Sequence, residues 1–431
     1  MELKPGYKQT EVGVIPEDWH STTVGGIASS ARNAIVGGPF GSDLVSRDYV
    51  HYGVPVIRGQ NLGARQLSGD FALVSPAKAD SLEANLARPG DLVFTQRGTL
   101  GQVSLVPDMP FDRYLVSQSQ MKVSVNREVS DPLFFYYVFI SEEQQQYIRQ
   151  NTIQTGVPHI NLGILREIPV QLPPLREQRA IAAALSDVDA LIGALDKLIA
   201  KKRDLRQGAI QRLLSGKQRL PGFQGKWEVK RLGQIVDIVS GGTPKTGVAA
   251  YWSGGIRWCT PTDITRADGK YLYETERTIS DLGLASCSAR LLPARTLLLC
   301  SRATIGEVKI AATEMSTNQG FKSLICGPEV NNEFLYYMLL TMKGRIVEKA
   351  IGSTFLEISK KDTALLEVHL PRLIDEQTAI AAILSDMDAE IAALEQRRDK
   401  TRLLKQGIMQ ELLTGRIRLP MPAEEEVAAT P

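Results

Sequence analysis

Residues 177–221 read EQRAIAAALSDVDALIGALDKLIAKKRDLRQGAIQRLLSGKQRLP, and residues 376–420 read EQTAIAAILSDMDAEIAALEQRRDKTRLLKQGIMQELLTGRIRLP. The two stretches align without a gap, and about half of the aligned positions are identical. A long-period duplication outranks any local motif, because it fixes the architecture. Each copy closes one half of the chain, so the protein is two related but unequal halves. Such a molecule suits a partner with near two-fold symmetry.

Both copies carry the spacing of a long amphipathic helix. Ile181, Leu185, Val188, Ile192, Leu195 and Ile199 recur at alternating steps of four and three, as do Ile380, Leu384, Met387, Ile391 and Leu394. That narrow stripe predicts a coiled-coil seam. Pro173 and Pro174 precede the first helix and Pro371 the second, while Ser215-Gly216 and Thr414-Gly415 supply matching stops. A helix over 177–214 would be about 57 Å long. With a domain between them in the chain, the two helices can pack antiparallel. Their basic flanks (Lys197, Lys201, Lys202, Arg203 and Arg206; Arg397, Arg398, Lys400, Arg402 and Lys405) suit DNA, a partner protein or solvent equally.

The segments before each helix also correspond. Trp19–Ile27 aligns with Trp227–Ile235, Gly37-Gly-Pro-Phe-Gly-Ser42 with Ser240-Gly-Gly-Thr-Pro244, and Arg97-Gly-Thr-Leu-Gly101 with Arg302-Ala-Thr-Ile-Gly306. Further on, Gln118 aligns with Asn318-Gln319, Lys122 with Lys322, and Ile57–Asn61 with Arg257–Pro261. These units read as short strands and turns followed by a helix, over about 132–149 and 333–350. The expected class is α+β (mixed α/β), with two similar globular domains joined by two long helices in pseudo-two-fold arrangement. The boundaries expected are a first domain over 1–172, a helical spacer over 173–221, a second domain over 222–371, a distal spacer over 372–420, and a disordered tail over 421–431.

Composition fits this division. The chain has 431 residues, 43% hydrophobic and 23% charged, with net charge +2. Two cores are expected at that length. No apolar run approaches the ~18 residues of a membrane span. The N-terminus lacks the basic-then-apolar pattern of a secretory signal, so a cytoplasmic location is expected. Cys259, Cys287, Cys300 and Cys326 form no CxxC pair, and His20, His51, His159 and His369 are scattered; the thiols read as reduced and structural, with no metal site. The sequence has no phosphate loop, dinucleotide loop or GxSxG elbow. Glu307-Val-Lys309 lacks the preceding acidic partner of a nuclease. A binding or scaffold role, without catalysis, is the expectation.

At this point the residues resemble the DNA-specificity subunit of type I restriction-modification systems. The resemblance rests on Trp19 and Trp227, Gly241-Gly-Thr-Pro244, Arg302–Gly306, Thr317-Asn-Gln-Gly-Phe321, Gly352-Ser-Thr354, Leu172-Pro-Pro-Leu-Arg-Glu-Gln178, and Glu376-Gln377. The first half departs from it, with Gly38-Pro39-Phe40 for Gly-Thr-Pro and Ser117-Gln118-Ser119 for Thr-Asn-Gln. It implies that each globular unit is a target recognition domain reading one half of a split site in double-stranded DNA. The helices would hold the domains apart and dock two modification (methyltransferase) subunits, with restriction/translocase subunits joining them. This chain would hold no cofactor, and S-adenosylmethionine, ATP and Mg would sit on the partners. Two major-groove readers on one DNA face want centres roughly 34–36 Å apart, which suits a rigid helical ruler. The candidate base readers are Arg58, Gln60, Asn61, Gln96 and Arg97 in the first unit. In the second they are Thr243, Lys245, Arg302, Asn318, Gln319 and Lys322. A recognition subunit of a combined restriction-methylation enzyme outside type I, and a coiled-coil scaffold without a DNA role, are the alternatives.

Overall fold

The structure, a computed structural model, describes residues 5–350 and 356–420. Gly352-Ser-Thr354 and the tail 421–431 lie outside the described residues. Four helices organise the chain: α1 (Pro132–Ile140), α2 (Leu175–Leu213), α3 (Asn332–Thr341) and α4 (Ile374–Leu413). It divides into two compact units. Unit 1 comprises 1–194 and 398–431, and unit 2 comprises 195–397. Each unit therefore owns one globular domain and half of each long helix.

In unit 1 the central sheet contains β1 (Ile35–Gly37), β2 (Leu92–Thr95), β3 (Val103–Leu105) and β4 (Gln120–Val123), in the order β3-β2-β4-β1 with every pairing antiparallel. Unit 2 repeats it with β5 (Val236–Ser240), β6 (Leu297–Cys300), β7 (Val308–Ala311) and β8 (Phe321–Cys326), in the order β5-β8-β6-β7, extended by Tyr271–Leu272. Both faces of each sheet are covered. Leu92, Phe94, Met121 and Val123 pack towards α1 and the long helices, while Val93 joins a second core beneath a second, five-stranded sheet. Strands buried on two faces read as unbroken apolar runs, as LVF and LLLC do here.

Helix α1 is apolar all round, and Phe134 to Phe139 are all buried, so it is the centre of its core. The helix expected over 132–149 is two helices. Ser141 ends α1 and its hydroxyl accepts from Gln144 N, starting Glu142–Gln150. The helix expected over 333–350 likewise stops at Thr341, whose hydroxyl bonds back to Met338 O, and resumes over Lys343–Glu348.

The long helices join the globular cores. In unit 1, Ile181, Ala182 and Leu185 of α2 share one cluster with Met409, Leu412 and Leu413 of α4. In unit 2, Ile380, Ala381 and Leu384 share theirs with Ile210, Leu213 and Leu214. The first two turns of each expected seam thus belong to a domain core. Further along, Leu195, Ile199 and Ile391 are buried, while Val188, Ile192, Met387 and Leu394 are half-buried. Ion pairs give the direction. In unit 2, Arg206 meets Asp388, and Lys202 and Arg203, a turn earlier on α2, meet Glu390 and Glu395 further along α4. The helix halves are therefore antiparallel. Lys405 meets Asp189 at 2.6 Å in unit 1. Much of the basic flank serves this pairing.

The repeated Glu-Gln that opens each helix has a definite task. The Gln178 amide donates to Val129 O and Pro173 O and accepts from Asp131 N; Gln377 does the same with Glu329 O, Pro371 O and Asn331 N. The buried Glu177 accepts from Trp19 Nε1 at 2.9 Å and from Arg418, which also grips Asp18. Glu376 is held by Arg219 at 2.6 and 2.7 Å. Each glutamate is closed by an arginine from the end of the other helical repeat. A second tie links Tyr137 to Asp189 and Tyr337 to Asp388, both at 2.7 Å. Burial first, and then the neighbouring carboxylate, raise both phenol pKa values, so these hydroxyls remain donors.

Candidate nucleic-acid interface

In each unit the loops after β1 or β5, after β2 or β6, and before β4 or β8 meet at one sheet end. Backbone geometry fixes the correspondence. Gln96 N donates to Ser119 O, and Ser301 N donates to Gly320 O. A β-carbon on Gly38 would lie 2.0 Å from Ser117 O, and one on Gly241 would lie 2.1 Å from Asn318 O. Ser117 thus matches Asn318, Gln118 matches Gln319, and both glycines are required by close backbone approach.

Several of the sequence alignments shift on this frame: Ser117-Gln118-Ser119 stands at Asn318–Gly320 rather than at Thr317–Gln319, and Gly38-Pro39-Phe40 at Gly241–Thr243 rather than at Gly-Thr-Pro. Gln120 faces Thr95 and Phe321 faces Cys300. Met121 therefore matches Lys322, and Lys122 matches Ser323, on the opposite sheet face. Both lysines are buried, but with different partners: Lys122 with Asp91 at 3.3 Å, and Lys322 with Glu357 at 3.0 Å. Ile57 pairs with Val116 and Cys259 with Thr317, so Arg58 matches Thr260 and Asn61 matches Asp263. Both of the latter cap the turn after the strand, accepting from Arg58 N at 3.0 Å and Thr260 N at 2.7 Å.

The candidate base readers accordingly separate into groups. Asn61 and Lys322 are buried and fully engaged, and they hold loops rather than present themselves. Arg302 is committed to Glu357 at 2.6 Å. Asn318 Oδ1 accepts from Gly320 N, shaping its own turn. Gln60 donates to Asp70 O. Arg58 is half-buried, and its Nε has no hydrogen-bond partner among the described residues. Gln96 is half-buried against the first loop, and Arg97 is exposed beside a backbone bridge to His159. Thr243 donates to Gln319 Oε1, and both residues are exposed with Lys245 on the outer loop of unit 2.

Sequence reasoning missed the props behind these loops. Trp258 Nε1 donates to Gly242 O at 2.9 Å, and Trp252 Nε1 to Lys245 O at 3.2 Å. The Arg277 guanidinium lies 3.6 Å from the Trp252 ring centre. The two tryptophans close together in the sequence were the available signal. The Arg-x-Thr-x-Gly motif also gains a physical reading. Gly98 and Ala303 both take positive φ, as do Gly101 and Gly306. Ala303 pays for that backbone with about 1 kcal/mol.

Glu357 anchors this motif to β8. Burial opposes its ionisation, but hydrogen bonds from Arg302 and Lys322 outweigh burial and hold its pKa below the ordinary value of 4.5. A carboxylate with a lowered folded pKa stabilises above its unfolded pKa and loses that contribution as pH falls through the folded one. Glu357→Gln is thus expected to be less stable than the parent at neutral pH, with the two melting curves converging below pH 4.5. An acid series of thermal melts checks this; a constant gap down to the most acid point would refute it.

Burial pushes the Cys300 and Cys326 thiols up to about 12 and raises Cys259 further, so these are unreactive core thiols. Among the described residues no helix is long and apolar enough to cross a membrane.

The model of the type I restriction modification DNA specificity domain matches residues 16–201 and again 224–403. The putative type I restriction enzyme MjaX specificity subunit of Methanocaldococcus jannaschii is 25% identical over 96% of this chain and 97% of its own. The MjaIX specificity subunit of the same organism is 39% identical over 38% of each chain. The crystal structure of the type I S subunit from M. genitalium superposes with a TM-score of 0.58 at 17% identity, covering 98% of this chain and 99% of the other, and shows the same fold. With that domain matched twice over most of its length, the chain belongs to the type I restriction-modification DNA specificity subunits.

Proposed function

We propose that each unit reads one half of a bipartite DNA target. The carrying observation is that one sheet and one set of loops occur twice, with different side chains at matching loop positions: Phe40, Gln96 and Ser117 in unit 1 stand where Thr243, Ser301 and Asn318 stand in unit 2. A common scaffold with unlike tips suits two unlike half-sites. The paired helices dock two modification subunits, which bring S-adenosylmethionine and methylate adenine in each half. Restriction/translocase subunits bring ATP and Mg to the same assembly. The chain itself recognises and does not catalyse, and it works in the cytoplasm where the DNA is.

The test is methylation sequencing of cells carrying the complex with and without this chain. One split methyladenine motif is expected to vanish with the chain. Exchanging residues 15–172 for the equivalent domain of another family member should then change one half of the motif and leave the other. Simultaneous change of both halves would refute one reader per unit.

A further inference from the structure

We propose that Phe40 reads the methyl group of a thymine in the half-site of unit 1, next to a base pair read by Gln118. The inference rests on the DNA-reading role given above. Phe40 is 84% exposed, on a loop that is otherwise tied down. Its flank is pinned by Asn85 Nδ2 to Gly37 O at 2.8 Å, by Gly38 N to Gln120 O at 3.1 Å, and by Asp43 N to Phe40 O at 2.9 Å. A large apolar ring held out on a fixed loop forgoes burial unless something covers it.

The internal repeat tells what covers it. Phe40 stands two residues after Gly38, as Thr243 stands two after Gly241, and each glycine packs on the matching turn. Beside them lie Gln118 and Gln319. A β-carbon at Gly41 would sit 3.6 Å from Gln118 Nε2, and Thr243 bonds Gln319 directly. Each unit therefore shows a methyl- or ring-bearing tip next to a glutamine. Glutamine pairs with adenine N6 and N7 in the major groove, and Thr or Phe makes apolar contact with the thymine C5-methyl. A half-site that receives an adenine methyl necessarily offers a thymine opposite it.

The experiment uses the full chain in complex with its modification subunits, on duplexes of the sequenced motif with deoxyuridine replacing each thymine in turn. One thymine in the unit 1 half is expected to show a loss of affinity of about fourfold, the effect of one buried methyl. Phe40→Ala should bind the parent duplex at least tenfold more weakly and be indifferent to that replacement. Thymines of the other half should behave alike in both proteins, which controls for folding. If the parent is insensitive at every thymine of that half, or if Phe40→Ala keeps the sensitivity, the assignment is wrong. A parent complex with no preference for the motif over unrelated DNA would instead overturn the DNA-reading role beneath it.

Discussion

Glu177→Ala is expected to destabilise unit 1 by about 4 kcal/mol, and Glu376→Ala to destabilise unit 2 by about half as much. Breaking a buried ion pair costs about 3–5 kcal/mol when the remaining charge has nowhere to go. Arg418 is 39% exposed on its side chain and keeps Asp18, so it can rehydrate and the ionic loss falls below that range. Trp19, however, is fully buried, and its indole N–H would lose its only acceptor among the described residues, at about 1–3 kcal/mol. Unit 2 lacks this second loss. The buried Trp227 Nε1 already has no partner among the described residues, and Arg219 retains the carbonyl of Gly225. Denaturant unfolding of the two variants, followed by hydrogen exchange resolved by segment, measures both. Equal losses would mean that the tryptophan bond adds nothing.

Gly241→Ala should weaken recognition about 100-fold with a comparatively small effect on stability. The new methyl would meet Asn318 O at 2.1 Å and Thr317 O at 2.3 Å. Both are backbone atoms of a turn tied to β6 and to Cys259 O, so the Gly241–Lys245 loop must yield. Overpacking of this kind costs about 1–3 kcal/mol. The same displacement moves Thr243 away from Gln319, and a shift on the order of 1 Å in a positioned contact costs about 100-fold in rate. Methylation of the intact motif is therefore expected to fall about 100-fold. Gly247→Ala, six residues on, is the control: nothing lies within 4 Å of its β-carbon, and near-parental activity is expected. Full activity in Gly241→Ala would show that the loop makes no contact that matters.

The duplication was legible because it is written in long apolar periodicity, which the helices preserve. The Glu-Gln motif was visible too, but its purpose was not, since its partners lie far along the chain at Arg418, Arg219, Val129 and Glu329. The alignments of Lys122 with Lys322 and of Asn61 with Pro261 slipped by one and two residues. Loops of unequal length separate the matched strands, and only hydrogen-bond register counts across them. A one-residue slip moves a side chain to the other sheet face, which is how two buried lysines came to be paired in error. The breaks at Ser141 and Met342 were hidden because helical segments lie on both sides of each, while a hydroxyl, of Ser141 or Thr341, marks where the first helix stops. Phe40 was in plain view in the sequence, yet an apolar residue reads as core until a structure shows it outside.

The division into units bears on synthesis. Unit 2 is one unbroken stretch, whereas unit 1 needs 398–420 to supply Met409, Leu412, Leu413 and Arg418 to a domain that began at the N-terminus. Emerging from a ribosome, the second domain has all its parts while the first still waits for the last helix. Assembly on the ribosome thus runs against the usual N-to-C order. A nonsense mutation anywhere before Met409 leaves the older domain with an open flank, and quality control would meet that exposed surface before any partner could cover it.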